Sequence, residues 1–152
     1  MSLCCEVLKK LQGRTLVSAE SCTGGGIGAA LTAVPGSSEV YKGGIISYTN
    51  WVKANVLHVP QALLDTVGAV SAPVAEAMAK GAREVLQADV AVSVTGLAGP
   101  GGDEYGNLVG TVFLGYSDEK ETIFREFHFQ GNREAVRSQA LKEALKLVLE
   151  KA

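Results

Sequence analysis

The sequence predicts an α/β protein whose mostly parallel sheet is covered by helices on both faces. Three observations carry that expectation. Strand-like and helix-like segments alternate through the first two-thirds of the chain, in the order αβαβααβββα. Val90–Thr95 is an unbroken apolar run, the mark of a strand buried on both sides. Three strand-like segments then follow one another between residues 90 and 129. Hairpins must join them, so one strand is expected to run antiparallel.

Taken in order, residues 3–12 form a short amphipathic pattern ending at Gly13, and Arg14–Ala19 is the first strand. Gly24–Ala33 is a helix of Gly and Ala stopped by Pro35-Gly36; its small side chains predict close approach to sheet or ligand. Gly43–Thr49 is the second strand. A short helical segment at Trp51–Val56 is followed by another after Pro60. Ser71-Ala72-Pro73 starts a helix reaching Leu86, with Ser at the N-cap and Pro in the first turn. Val90–Thr95, Leu108–Tyr116 and Thr122–Phe129 are strands, with a polar turn at Ser117–Lys120. Arg125, Glu126 and His128 interleave with aromatics in the last strand and place it at an edge. The final helix runs from Arg133 to Lys151.

A chain of 152 residues is expected to be one domain, 1–152, that buries roughly 68–70% of its unfolded surface. Its net charge of −2 and lack of a Lys/Arg run argue against a nucleic-acid partner. No apolar run approaches membrane-spanning length and no leader pattern opens the chain, so no membrane partner is expected. Cys4, Cys5 and Cys22 are an odd set with no zinc spacing. They indicate a reducing, cytoplasmic setting; neither a metal nor a cofactor is expected.

The informative segment is Ala-Glu-Ser-Cys-Thr-Gly-Gly at 19–25. It puts the Ser21 hydroxyl where a strand ends and a helix begins, at the sheet end where open α/β folds bind ligands. N–H groups around Thr23, Gly24 and Gly25 are expected to stabilise an oxyanion. A serine nucleophile needs a base. His58 and His128 are badly placed for it, whereas Tyr48 and Lys53 flank the C-terminal end of the second strand. If strands one and two are parallel neighbours, ~5 Å apart, Ser21, Tyr48 and Lys53 meet at one sheet end. A partly desolvated lysine there would be neutral enough to take the serine proton. On spacing alone, Ser21 as a helix cap, Tyr48 as a core aromatic and Lys53 as a surface charge is the competing reading. Cys22 is a rival nucleophile at the same helix start.

Two further features point to an anion. Thr95 begins a loop with four glycines between Gly96 and Gly102, Gly99 among them, whose N–H groups suit a phosphate or a ribose. Arg133 and Arg137 fall within the apolar stripe of the last helix (Val136, Ala140, Leu141, Ala144, Leu145, Val148), near its N-terminus, where cations oppose the dipole. A phosphate or carboxylate between this helix and the glycine loop would compensate both. A free-floating flexible loop, with both arginines reaching past the helix end into water, is the alternative. Gly24–Ala29 mimics a dinucleotide fingerprint, but the second strand ends in Tyr-Thr-Asn, without an acidic ribose ligand.

Four ordered motifs carry a family resemblance: AESCTGG at 19–25, GGIISYTNWVK at 43–53, GAVSAPVAEAMAKGA at 68–82, and TGLAGPGG at 95–102 followed by VGTVFLGY at 109–116. Together they resemble the CinA C-terminal domain family from about Leu8 to Leu147. The resemblance implies a three-layer α/β/α sandwich with a five-stranded mixed sheet whose fourth strand is antiparallel. It implies hydrolysis of nicotinamide mononucleotide to nicotinate mononucleotide and ammonia, in the manner of the family's stand-alone deamidases. The family nucleophile falls on Ser21 and its lysine on Lys53. Tyr48 and Thr95 match positions lining the site, and a family arginine matches Arg133 or Arg137. The expected partner is therefore a small-molecule pyridine nucleotide. A site this open also leads to the expectation of a homo-oligomer, with a neighbouring subunit completing it. The rival function is a non-catalytic nucleotide-binding or regulatory module using the same cleft; a dinucleotide-dependent oxidoreductase ranks below both.

Overall fold

A computed structural model of the chain describes residues 1–152. Apolar alternation in β1 (Leu16–Glu20) explains the layering: Leu16 packs into one core and Val17 and Ala19 into the other. β1 lies between β2 (Tyr41–Ile46) and β3 (Val90–Gly96), parallel to both. β4 (Thr111–Ser117) runs antiparallel to β3 and to β5 (Thr122–His128), giving the order β2-β1-β3-β4-β5. The sheet is thus five-stranded and mixed, with β4 the one reversed strand. β5 is at the edge, where its interleaved charges placed it.

Helices α1 (Leu3–Lys10), α2 (Gly26–Thr32) and α6 (Arg133–Lys151) bury Val7, Leu8, Ile27, Leu31, Val136 and Val148 against Val90, Val92 and Leu114 on one face. The other face carries α5 (Ala72–Val85), with α3 (Asn50–Asn55) and α4 (Gln61–Thr66) leading into it. The fold is a three-layer α/β/α sandwich. On the α5 side many of the buried side chains are small: Ala19, Ala91 and Ser93 from the sheet, Ala75, Ala79 and Ala82 from the helix, beside Val17, Val74 and Met78. The helix therefore rides close. The Ser93 hydroxyl donates to the Ala75 carbonyl at 2.6 Å, and a Cβ on Gly115 would lie 2.2 Å from that same carbonyl oxygen. Gly115→Ala is expected to lower the unfolding free energy by about 2–3 kcal/mol, as overpacking does. Chemical denaturation of the two proteins measures this, and equal stability would contradict the close packing.

Most element boundaries differ from expectation by one to three residues, and the shifts of α2, β1, β2 and β4 bear on the site. α2 starts at Gly26 rather than Gly24, because Gly24 (φ +59°) and Gly25 (φ +103°) are left-handed. β1 is shifted along the chain, running from Leu16 to Glu20 rather than from Arg14 to Ala19. β2 ends at Ile46, and Thr49 then caps α3 by accepting from the Val52 N–H, so Tyr48 sits in the connection instead of on the strand. β4 starts at Thr111 rather than Leu108, since Gly110 (φ +95°) turns the chain and leaves Leu108 exposed. Ser71 does occupy the N-cap of α5, but its hydroxyl donates to the Gly68 carbonyl and caps nothing.

Candidate active site

Parallel pairing of β1 with β2 and β3 brings three strand ends together: Glu20 stands opposite Ile46 on one side and Val94 on the other. Ser21 follows directly, and its N–H donates to the Val94 carbonyl at 3.0 Å. From the β2 side, the first turns of α3 return Lys53 to the same place. The Lys53 Nζ donates to the Ser21 Oγ at 3.0 Å, to the Ser47 carbonyl at 2.7 Å and to the Tyr48 carbonyl at 3.5 Å. Lys53 is 1% exposed and Ser21 8%. Burial, with no carboxylate among the amine's hydrogen-bond partners, pulls the Lys53 pKa from 10.5 down to about 8. Roughly a tenth of the molecules then carry a neutral amine at pH 7. A neutral amine within hydrogen-bond reach of an alcohol can accept its proton, and the three acceptors fix the amine's direction.

Burial treats Cys22 in the opposite way. The residue is 6% exposed and belongs to the α1/α2/α6 core, and burial pushes its thiol pKa up to about 11. A thiol held protonated is a poor nucleophile, which removes the rival to Ser21.

The cleft above the pair has a volume of about 300 Å³. Ala69, Val70, Leu97 and Ala98 form an apolar side; Tyr48, Asn50, Thr95 and Arg133 supply polar groups. Of the expected site residues, Ser21, Lys53, Tyr48, Thr95, Gly96, Gly99 and Arg133 all line it. Thr95 turns its hydroxyl to the Ala69 carbonyl at 2.8 Å, fixing the wall. Tyr48 does not reach Lys53 through its phenol. That oxygen accepts from Arg133 Nη2 at 3.1 Å, and only the Tyr48 main chain faces the lysine. Arg133 Nη1 donates to the Gly99 carbonyl at 2.8 Å, so the glycine loop is tied to α6. The N–H groups of Ala98, Gly99 and Gly101 have no acceptor within the protein, and all three residues face the cleft. The far end of the loop is not loose either. Asp103 accepts the N–H groups of Tyr105 and Asn107, both at 3.0 Å, and the Tyr105 hydroxyl donates to the Leu64 carbonyl at 3.3 Å.

Thr23, Gly24, Gly25 and Arg137 do not line the cleft, which corrects their expected part in holding the substrate. The Gly24 N–H donates to the Ser21 carbonyl at 3.0 Å and is unavailable to an oxyanion. Gly25 faces a separate depression beside Tyr41 and Ile46. The Arg137 charge is answered by main-chain carbonyls: its Nε donates to Cys22 at 3.0 Å and its Nη2 to Thr23 at 3.3 Å.

Sequence reasoning missed Glu20, which is 2% exposed. Its carboxylate accepts the Thr23 hydroxyl at 2.7 Å, the Ile27 N–H at 2.8 Å, the Gly28 N–H at 3.1 Å and the Ser18 hydroxyl at 3.2 Å. The start of α2 is thus capped by an internal anion, and the dipole expected to serve the reaction serves Glu20. The signal was present: an acid closing an apolar strand, a threonine three residues on and a helix start six residues on. Asn50, at the cleft mouth, was missed as well. No group of three or more His, Cys, Asp or Glu side chains lies close enough to hold a metal ion, and no helix is long and apolar enough to cross a membrane.

The model of the family described as the CinA C-terminal domain matches residues 2–152. A CinA-like protein of Synechococcus sp. (strain RCC307) is 46% identical over 151 residues, 97% of this chain and 36% of that protein. One from Parasynechococcus marenigrum (strain WH8102) is 51% identical over 148 residues, 95% of this chain and 35% of that protein. The chain therefore spans about a third of the length of the curated relatives it matches. Among solved structures, the competence damage-inducible protein A of Klebsiella pneumoniae superposes with TM-score 0.95 at 36% identity, covering 98% of this chain and 94% of that one. A competence/damage-inducible protein from Agrobacterium tumefaciens gives TM-score 0.94 at 36% identity, covering 97% and 92%.

Proposed function

The chain belongs to the CinA C-terminal domain family, and we propose that it is a metal-independent serine amidohydrolase converting nicotinamide mononucleotide and water to nicotinate mononucleotide and ammonia. The observation that carries this reading is the buried Ser21–Lys53 hydrogen bond of 3.0 Å, with the amine held near pKa 8. Neutral Lys53 takes the Ser21 proton as Oγ attacks the carboxamide carbon. The tetrahedral oxyanion is met by the main-chain N–H of Cys22, the residue after the nucleophile, which lines the cleft. Collapse expels ammonia, which carries away the proton returned by the Lys53 ammonium. Water then attacks the acyl-serine as Lys53 accepts its proton; the C–Oγ bond breaks, the Lys53 ammonium returns that proton to Ser21 Oγ, and nicotinate mononucleotide leaves as the carboxylate, its acid proton passing to solvent.

Recognition follows from the cleft walls. Ala69, Val70, Leu97 and Ala98 suit the flat face of a pyridine ring. The Arg133 guanidinium and the free N–H groups of Ala98, Gly99 and Gly101 suit the phosphate. Three free thiols fit a reducing cytoplasm, and a second copy of the chain would close the open side of the cleft.

Ammonia release from nicotinamide mononucleotide, followed with a coupled assay against nicotinamide and the riboside as controls, tests the assignment. Turnover of the nucleotide is expected. Tight binding without product would instead make the cleft a regulatory nucleotide site. Arg133→Ala is expected to raise KM by roughly 10–100-fold with kcat little changed, as loss of a charged hydrogen bond to phosphate would do. A fall in kcat at constant KM would contradict the phosphate role.

A further inference from the structure

We propose that Tyr48 is a specificity-determining residue of the cleft: its phenol and the Arg133 guanidinium form one seat for the substrate's phosphate at the cleft mouth, and the phenol takes no part in proton transfer. This rests on the reading of the cleft given above. The two groups come from different elements. Tyr48 belongs to the connection between β2 and α3, and Arg133 to the first turn of α6. Both line the cleft. Arg133 Nη2 donates to the Tyr48 phenol oxygen at 3.1 Å, and Nη1 donates to the Gly99 carbonyl at 2.8 Å. A guanidinium carries five N–H donors in a planar fork, so three remain for a ligand. The Tyr48 oxygen accepts from Arg133, and its own O–H has no acceptor within the protein. Arg133 forms no ion pair with any carboxylate, so its charge is answered by neutral oxygens alone.

Depth in the cleft separates this pair from the chemistry. Ser21 and Lys53 are buried, whereas Tyr48 is 57% exposed. Lys53 meets Tyr48 only at its main-chain carbonyl, 3.5 Å from Nζ. A proton carrier must stand within hydrogen-bond reach of the group it serves, and the phenol's partner is a guanidinium, which does not give up its proton. A buried floor and a wet mouth also orient a nucleotide. The neutral carboxamide goes down to Ser21, and the charged phosphate stays where its desolvation costs least. The mouth then supplies what a phosphate needs. A planar cation offers paired donors to two of its oxygens. A phenol that accepts from that cation is polarised into a stronger donor for a third. The Gly99 and Tyr48 anchors hold the fork in place before ligand arrives, so less side-chain freedom is lost on binding. A riboside offers this seat no anion.

The experiment measures equilibrium binding of nicotinamide mononucleotide and of its riboside in the Ser21→Ala background, with Tyr48 intact, with Tyr48→Phe, with Arg133→Ala and with both changes. Steady-state kinetics are run on wild type and on Tyr48→Phe alone. Tyr48→Phe keeps the exposed ring and removes only the hydroxyl. It is expected to weaken nucleotide binding by about 3–10-fold, the scale of one lost hydrogen bond, while riboside binding and kcat change by less than about twofold. Once Arg133 is truncated, the same change is expected to cost less than about twofold, because the two groups act as one seat. Equal losses for nucleotide and riboside would make Tyr48 a general rim contact and overturn the proposal. Additive effects of the two changes would overturn it too, as would a kcat loss of about 10²-fold at unchanged KM, which would put the phenol on the proton path. If wild type releases no ammonia while its binding still depends on the phosphate and on Tyr48 in this way, the amidase reading falls and the seat stands.

Discussion

Ser21→Ala is expected to lower kcat for ammonia release by about 10⁴-fold or more, the scale seen when a serine nucleophile is removed. The fold should be indifferent to the change. The hydroxyl's hydrogen bond is to Lys53 Nζ, and the amine keeps the Ser47 carbonyl at 2.7 Å and the Tyr48 carbonyl at 3.5 Å when Oγ is gone. The Ser21 N–H, which ties the segment to Val94, is untouched. Affinity for the nucleotide should also persist, since Arg133 and the glycine loop do not depend on Oγ. Kinetics, equilibrium binding of nicotinamide mononucleotide and a melting curve on the same preparation measure all three. Near-normal turnover would remove Ser21 from the mechanism.

Lys53→Met has a comparable expected effect on rate, a loss of about 10⁴-fold, and an unusual effect on stability. In the wild-type protein kcat/KM should rise with pH as the amine loses its proton, with a midpoint near the folded-state pKa of about 8. Stability should follow a related course. The folded pKa of about 8 lies below the ordinary 10.5, so between those values the unfolded chain binds more protons and stability rises with pH. The full rise is on the order of 3 kcal/mol. Lys53→Met lacks it, and at pH 7 it should be at least as stable as wild type, because an apolar chain of similar length replaces a buried charge. Denaturant titrations at pH 7 and pH 10 make the comparison. Parallel stability changes in the two proteins would show that Lys53 carries no depressed pKa.

Much of this could be read before any coordinates. Strand–helix alternation and the apolar Val90–Thr95 run specify a covered parallel sheet, because only burial on both faces tolerates such a run. Parallel β1 and β2 then force Ser21 and Lys53 toward one sheet end. The less legible parts are those where polar groups answer one another across the fold. Arg133 and Arg137 both interrupt an apolar stripe, and helical periodicity treats them alike. Only the path of the Cys22–Thr23 turn makes one of them a partner of main-chain carbonyls and leaves the other facing the cleft. Glu20 stayed hidden because an acid inside a strand looks like a strand end, whereas here it satisfies the first N–H groups of α2. Helix periodicity placed Val136, Ala140, Ala144, Leu145 and Val148 correctly and omitted Leu147, which α6 also buries.

The Lys53 amine is aimed by the carbonyls of Ser47 and Tyr48 rather than by a third side chain. An orienting group made of main chain is present whatever residues occupy those two positions. Drift in sequence can remodel the rim around Tyr48 and change which molecules enter, while the amine stays trained on the alcohol. In the proposed amidase, such a centre would separate the evolution of selectivity from the preservation of reactivity, and one small scaffold would be open to retuning toward different amides without being rebuilt.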